Sequence, residues 1–135
     1  MKGVIMDRKK SHNIPGITNI SEISAKDKHN ISKHAVNLIY PVVSEFNITK
    51  EMLFNSLSKS NMYLADFNDS SMGKYYYKTN SIYFSNELDV NNMDSSVIHE
   101  ILHYLQTELT EENNLIRMGL FKFSRTFQKR SWTSD

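Results

Sequence analysis

The chain has no cysteine among its 135 residues, which excludes a disulfide framework, a thiolate zinc site and a cysteine nucleophile. Any transition metal must therefore rest on histidine, carboxylate or water. An excess of charge of one sign is also missing, since 16 Lys and Arg against 15 Asp and Glu leave a formal net charge of +1. That balance gives no global electrostatic reason for nucleic acid or an anionic membrane as a partner. Long apolar runs are absent as well. The N-terminus, Met1 to Lys10, has no apolar core long enough for a signal peptide, and no later run would span a bilayer, so a cytoplasmic location is expected. What is present, 39% hydrophobic and 23% charged residues, is ordinary for a soluble globular protein and gives room for one domain with a modest core.

Periodicity divides that material into an α+β order. Residues 1–20 mix a basic cluster with His12-Asn13-Ile14-Pro15-Gly16 and read as a flexible or loosely docked arm before a single domain over 21–135. Ile31, Ala35, Leu38 and Ile39 recur at helical spacing, predicting an N-terminal helix over 24–40 that Pro41 ends or kinks. A second helix has Thr49 as N-cap, Ile48 placed to staple against Leu53, and Glu51 in the first turn, and it runs to Lys59. Three strands follow, over 61–67, 74–78 and 81–85, the last two joined at Thr79-Asn80 as a hairpin. The expected architecture is two N-terminal helices, a small three-stranded sheet, one further helix and a C-terminal helix or tail.

That further helix carries His99-Glu100-Ile101-Leu102-His103. Helical geometry puts His99 and His103 one turn apart on one face, where both imidazoles can reach a single ion at about 2.0 to 2.1 Å. Glu100 then leans beside the ion and can take a proton from water that the ion acidifies towards a pKa of about 7. The surroundings suit a helix. Val97, Ile98, Ile101, Leu102, Leu105 and Leu109 would bury the opposite side, Asp94 or Ser95 can cap the start, and neither proline nor glycine occurs from Val90 to Arg117. The bland alternative, two histidines on a solvated helix face, leaves Glu100 and the apolar backing as coincidences. His29 and His34, five residues apart on the first helix, are poorly spaced for sharing a metal and read as surface or satisfied core residues.

A small sheet leading into a helix with His99-Glu100-Ile101-Leu102-His103-Tyr104-Leu105-Gln106 resembles the zincin metallopeptidases, in particular a minimal gluzincin, over roughly residues 60–110. The resemblance implies that His99 and His103 bind zinc, that Glu100 is the general base, and that the chain hydrolyses peptide bonds of a peptide or protein. The metzincin branch is disfavoured, because Gln106 and Leu109 stand where it needs glycine and histidine. A gluzincin also takes a third ligand from a glutamate on a later helix. After His103 the only glutamates are Glu108, Glu111 and Glu112; on a straight helix Glu108 points away from the histidine face and Glu111 lies two turns along. Three readings follow: Glu111 or Glu112 returns after a bend near 110–114, the ligand comes from Asp135 or another chain, or the chain is a shortened or degenerate zincin. In the last case it is a module without stable metal that binds a protein or peptide.

Two further features have two readings each. Ile82-Tyr83-Phe84-Ser85, if at the sheet edge beside the motif, would hold an extended peptide by strand addition; otherwise it is plain sheet packing. Arg117, Lys122, Arg125, Lys129 and Arg130 interleave with Phe121, Phe123, Phe127 and Trp132. An amphipathic last helix burying Leu120, Phe123 and Phe127 accounts for that spacing better than a strip for single-stranded nucleic acid. Tyr75, Tyr76 and Tyr77 read as sheet residues in preference to oxyanion donors.

Overall fold

A computed structural model of the chain describes residues 14–110. They form an α+β arrangement of three helices and a four-stranded mixed sheet: β1 (Ile17–Glu22), α1 (Ala25–Val43), α2 (Lys50–Ser58), β2 (Asn61–Phe67), β3 (Gly73–Tyr76), β4 (Ser81–Ser85) and α3 (Ser95–Thr110). No helix among these residues is long and apolar enough to cross a membrane.

The helix starts follow from local chemistry. Ser24 Oγ accepts the Asp27 N–H at 3.1 Å to open α1, and Thr49 Oγ1 accepts the Met52 N–H at 3.1 Å to open α2, with Ile48 and Leu53 both buried as the staple requires. Pro41 does not end α1, which continues to Val43. So near the C-terminus proline forfeits only one backbone bond, while Ile39 and Val43, both fully buried, anchor the chain on either side of it. The buried stripe of α1 is Ile31, Ala35, Val36, Ile39 and Val43; Leu38 lies off it and is 50% exposed.

The sheet differs from the sequence expectation in two respects. A fourth strand exists, because residues 17–20 of the expected arm belong to β1, which pairs antiparallel with β2. Ile14 and Ile17 are buried with Ala65 and Tyr83 on one sheet face, so this part of the arm is built into the core. The second difference is the strand order, β1-β2-β4-β3. β4 inserts between β2, to which it runs parallel, and β3, to which it runs antiparallel. All five of its residues are buried. Ile82–Ser85 is therefore not an edge: both sides of the strand are already paired, which removes the strand-addition reading for this segment. The edge near the helix motif is β3.

The larger core lies between the helices and the sheet face bearing Met62, Ile82 and Phe84. The hairpin turn spans 77–80, earlier than a strand running to Lys78 would place it, with Asn80 N–H donating to Tyr77 C=O at 3.2 Å and Asn80 in the left-handed region at φ 50°. The expected C-terminal helix and its basic aromatic strip, together with His12, lie outside the described residues.

Candidate metal centre

α3 starts on Asp94, whose Oδ1 accepts the N–H groups of Ser96 and Val97, each at 3.1 Å, and the Ser96 hydroxyl at 2.7 Å. Of the two residues that the sequence offers as cap, the structure selects Asp94. The Ser96 hydroxyl, and then the backbone N–H groups of Val97 and Ser96, hold the Asp94 carboxyl below the ordinary aspartate value against the opposing effect of partial burial. From this start the helix sets its own rotation. Val97, Ile98, Ile101, Leu102, Leu105 and Leu109 are all buried, as the spacing requires, and Tyr104 joins them. The face that remains carries His99, Glu100 and His103, each half-buried.

On that face the two imidazoles converge. His99 Nε2 and His103 Nε2 are 3.0 Å apart, with the rings edge to face at 79° and centroids 4.4 Å apart. At this distance one nitrogen can donate to the other, or both can offer lone pairs to one cation. Two donors at 2.0 to 2.1 Å around a tetrahedral zinc ion stand about 3.3 Å apart, so little adjustment separates the observed pair from a ligating one. Burial first, and His103 second, push the His99 imidazole below the usual histidine range, against the pull of Glu100. The neutral ring, which is the form that ligates, is thereby favoured. Among the described residues His99, Glu100 and His103 are the group of metal-ligating side chains, their donor atoms all within 4.8 Å of one another.

Glu100 is oriented from outside its own helix. Its Oε1 accepts the backbone N–H of Tyr75, on edge strand β3, at 2.8 Å. In an antiparallel pair successive residues alternate between facing the partner and facing away. Met72 C=O accepts Ser85 N–H from β4, so Gly73 and Tyr75 face away, and the outward donor of Tyr75 is the one Glu100 takes. The Tyr75 ring lies nearly parallel to His103, at 25° with centroids 6.4 Å apart, and its hydroxyl is 2.7 Å from Asn80 Oδ1 and 3.2 Å from Thr107 Oγ1. Sequence reading missed Tyr75 and Thr107 as neighbours of the motif. No spacing rule links a strand aromatic to a helix that follows 20 residues later; the aromatic run at 75–77 was the sole signal.

The remaining candidates separate from the pair. His29 packs edge-on against Phe54, with centroids 5.4 Å apart, and His34 Nε2 lies 3.2 Å from Asn91 Oδ1. Glu108 turns towards α2, with its Oε1 3.3 Å from the Tyr104 hydroxyl and its side chain beside Asn55, Ser56 and Lys59. That agrees with the rotation expected for a straight helix. Glu111, Glu112 and Asp135 lie outside the described residues. Compared with protein-family models, with curated proteins and with solved structures, the chain matches none.

Proposed function

We propose that the chain is a zinc-dependent peptidase of zincin type, with His99 and His103 as ligands and Glu100 as general base. The observation that carries this reading is the convergence of both Nε2 atoms at 3.0 Å beside a carboxylate that a strand-edge N–H holds in place. When bound, zinc would polarise a scissile carbonyl and acidify water. Glu100 would take the proton of the attacking water and pass it to the departing amine, two transfers within reach of one carboxylate. An extended peptide would lie along β3 at the outward backbone groups of Gly73, on the side away from β4, since Glu100 already takes the outward N–H of Tyr75.

Metal analysis tests the reading. Zinc retained stoichiometrically after dialysis, and lost in His103→Ala, is the expected result, with hydrolysis of a mixed fluorogenic peptide library abolished by chelator and restored by zinc. A wild-type protein that binds no zinc at micromolar concentration while staying folded would sink it.

One observation favours a second reading. Among the described residues the donor grouped with the histidine pair is Glu100, which the first reading uses as general base, whereas a catalytic zinc ordinarily has three protein ligands besides its base. On this reading the domain is a degenerate zincin that binds a peptide or protein through the β3 edge. Zinc-independent peptide binding without hydrolysis is the result that distinguishes it.

A further inference from the structure

We infer that Tyr75 is the positioning residue of the histidine pair, an inference that rests on the zinc-binding part of the reading above. One residue of β3 meets the motif face twice. Its backbone N–H holds Glu100 at 2.8 Å, and its side chain runs beside the His103 ring to the helix turn that follows. There the hydroxyl stands between the hairpin turn and α3, 2.7 Å from Asn80 Oδ1 and 3.2 Å from Thr107 Oγ1. Thr107 in turn donates to the carbonyl oxygen of His103 at 3.0 Å. Two hydroxyl hydrogens therefore serve three contacts, a small network that ties the hairpin turn to the backbone of a ligand residue.

The physical effect differs from general packing. Burial of Val97, Ile101 and Leu105 fixes α3 against the core, but it acts on the far side of the helix and leaves the rotamer of half-buried His103 to its own neighbours. The Tyr75 ring is the aromatic neighbour on that side, and the hydroxyl network keeps the ring from swinging away. Holding His103 in the rotamer that faces His99 removes rotational freedom that metal binding would otherwise have to freeze out. Outer contacts that orient metal ligands are commonly worth about 10- to 100-fold in affinity, and one acting through a ring and a network belongs at the lower end.

The experiment measures zinc affinity by chelator competition, the visible spectrum of the cobalt(II)-substituted protein, and the thermal midpoint of the metal-free protein, in wild type, Tyr75→Phe and His99→Ala. Expected for Tyr75→Phe is a loss in zinc affinity of about tenfold and a changed cobalt spectrum, with the metal-free midpoint within about 2 °C of wild type. Zinc bound as tightly as in wild type, while His99→Ala binds weakly, overturns the positioning role and leaves the metal site standing. A loss of affinity matched by a lowered metal-free midpoint also overturns it, since that is the mark of a purely structural contact. Wild-type affinity in His99→Ala overturns the metal site and this inference together. If Tyr75→Phe does not fold, Thr107→Val, which cuts the same network at an exposed helix position, carries the same expectations.

Discussion

At the scale of single residues the proposed peptidase gives the motif two kinds of side chain, histidines that would hold zinc and a glutamate that would act as base. Glu100→Gln keeps the size and an oxygen to accept the Tyr75 N–H but loses the base. It is expected to retain zinc within a few-fold of wild type and to lower kcat by about 10²- to 10⁴-fold, measured on the peptide that wild type cleaves. A quite different role belongs to Tyr104, on the buried side of the same helix. Its hydroxyl donates to the Ser56 carbonyl at 2.8 Å, and burial first, with the nearby Glu108 second, pushes its phenol well above the ordinary tyrosine range. The unfolded chain therefore ionises first, near the ordinary value of about 10. The stability that Tyr104 contributes is complete below that pH and declines as pH rises above it. Urea titrations from neutrality to pH 11 are expected to show the wild-type midpoint falling more steeply than that of Tyr104→Phe. At neutral pH the variant loses about 1 kcal/mol, because the Ser56 carbonyl loses one of its two donors and keeps only the Lys59 N–H.

Among the elements, α3 was the most legible and β1 the least, for reasons that lie in how far apart the determining contacts are. The Asp94 cap, the apolar stripe and the one-turn spacing of His99 and His103 are all satisfied within a few residues, so the sequence displays them directly. The cap supplies a test of its own. Asp94→Ala should cost about 1 kcal/mol at neutral pH. Since the folded carboxyl is held below the ordinary aspartate value, its contribution is present above that value and is lost as pH falls through the lowered one. Wild type and variant are expected to converge in stability once pH has fallen below the lowered Asp94 value, as followed by circular dichroism. β1 is a different case. In Ile17–Glu22 only Ile17 is buried, so no alternation marks a strand; its hydrogen bonds come from β2, more than 40 residues on. The same non-locality hid the position of β4. Its apolar, aromatic sequence fits an edge or a centre, and the choice depends on β3 and β2 pairing on its two sides.

At the scale of the molecule the α+β class and the motif face were readable because both follow from periodicity, whereas the sheet order and the contact between Tyr75 and Glu100 were not, since both arise only when distant segments meet. The proposed zinc site would join two turns of α3 and so link metal binding to stability of the whole. At zinc concentrations 100-fold above Kd the native state should gain about 2.7 kcal/mol. For a chain of this size that raises Tm by about 10 °C, reversed by chelator and absent in His99→Ala, as scanning calorimetry would register. The mixed sheet has a kinetic consequence too. The β3–β4 hairpin closes a short loop and α3 docks on it from the adjoining segment, but β1 must wait for a closure spanning more than 40 residues. β1 is thus expected to be the last strand to join, after the histidine face has formed. Destabilising substitutions such as Ile17→Ala are expected to speed unfolding while leaving the refolding rate nearly unchanged, so stopped-flow kinetics would find the N-terminal strand to be the latch of the fold and not its nucleus.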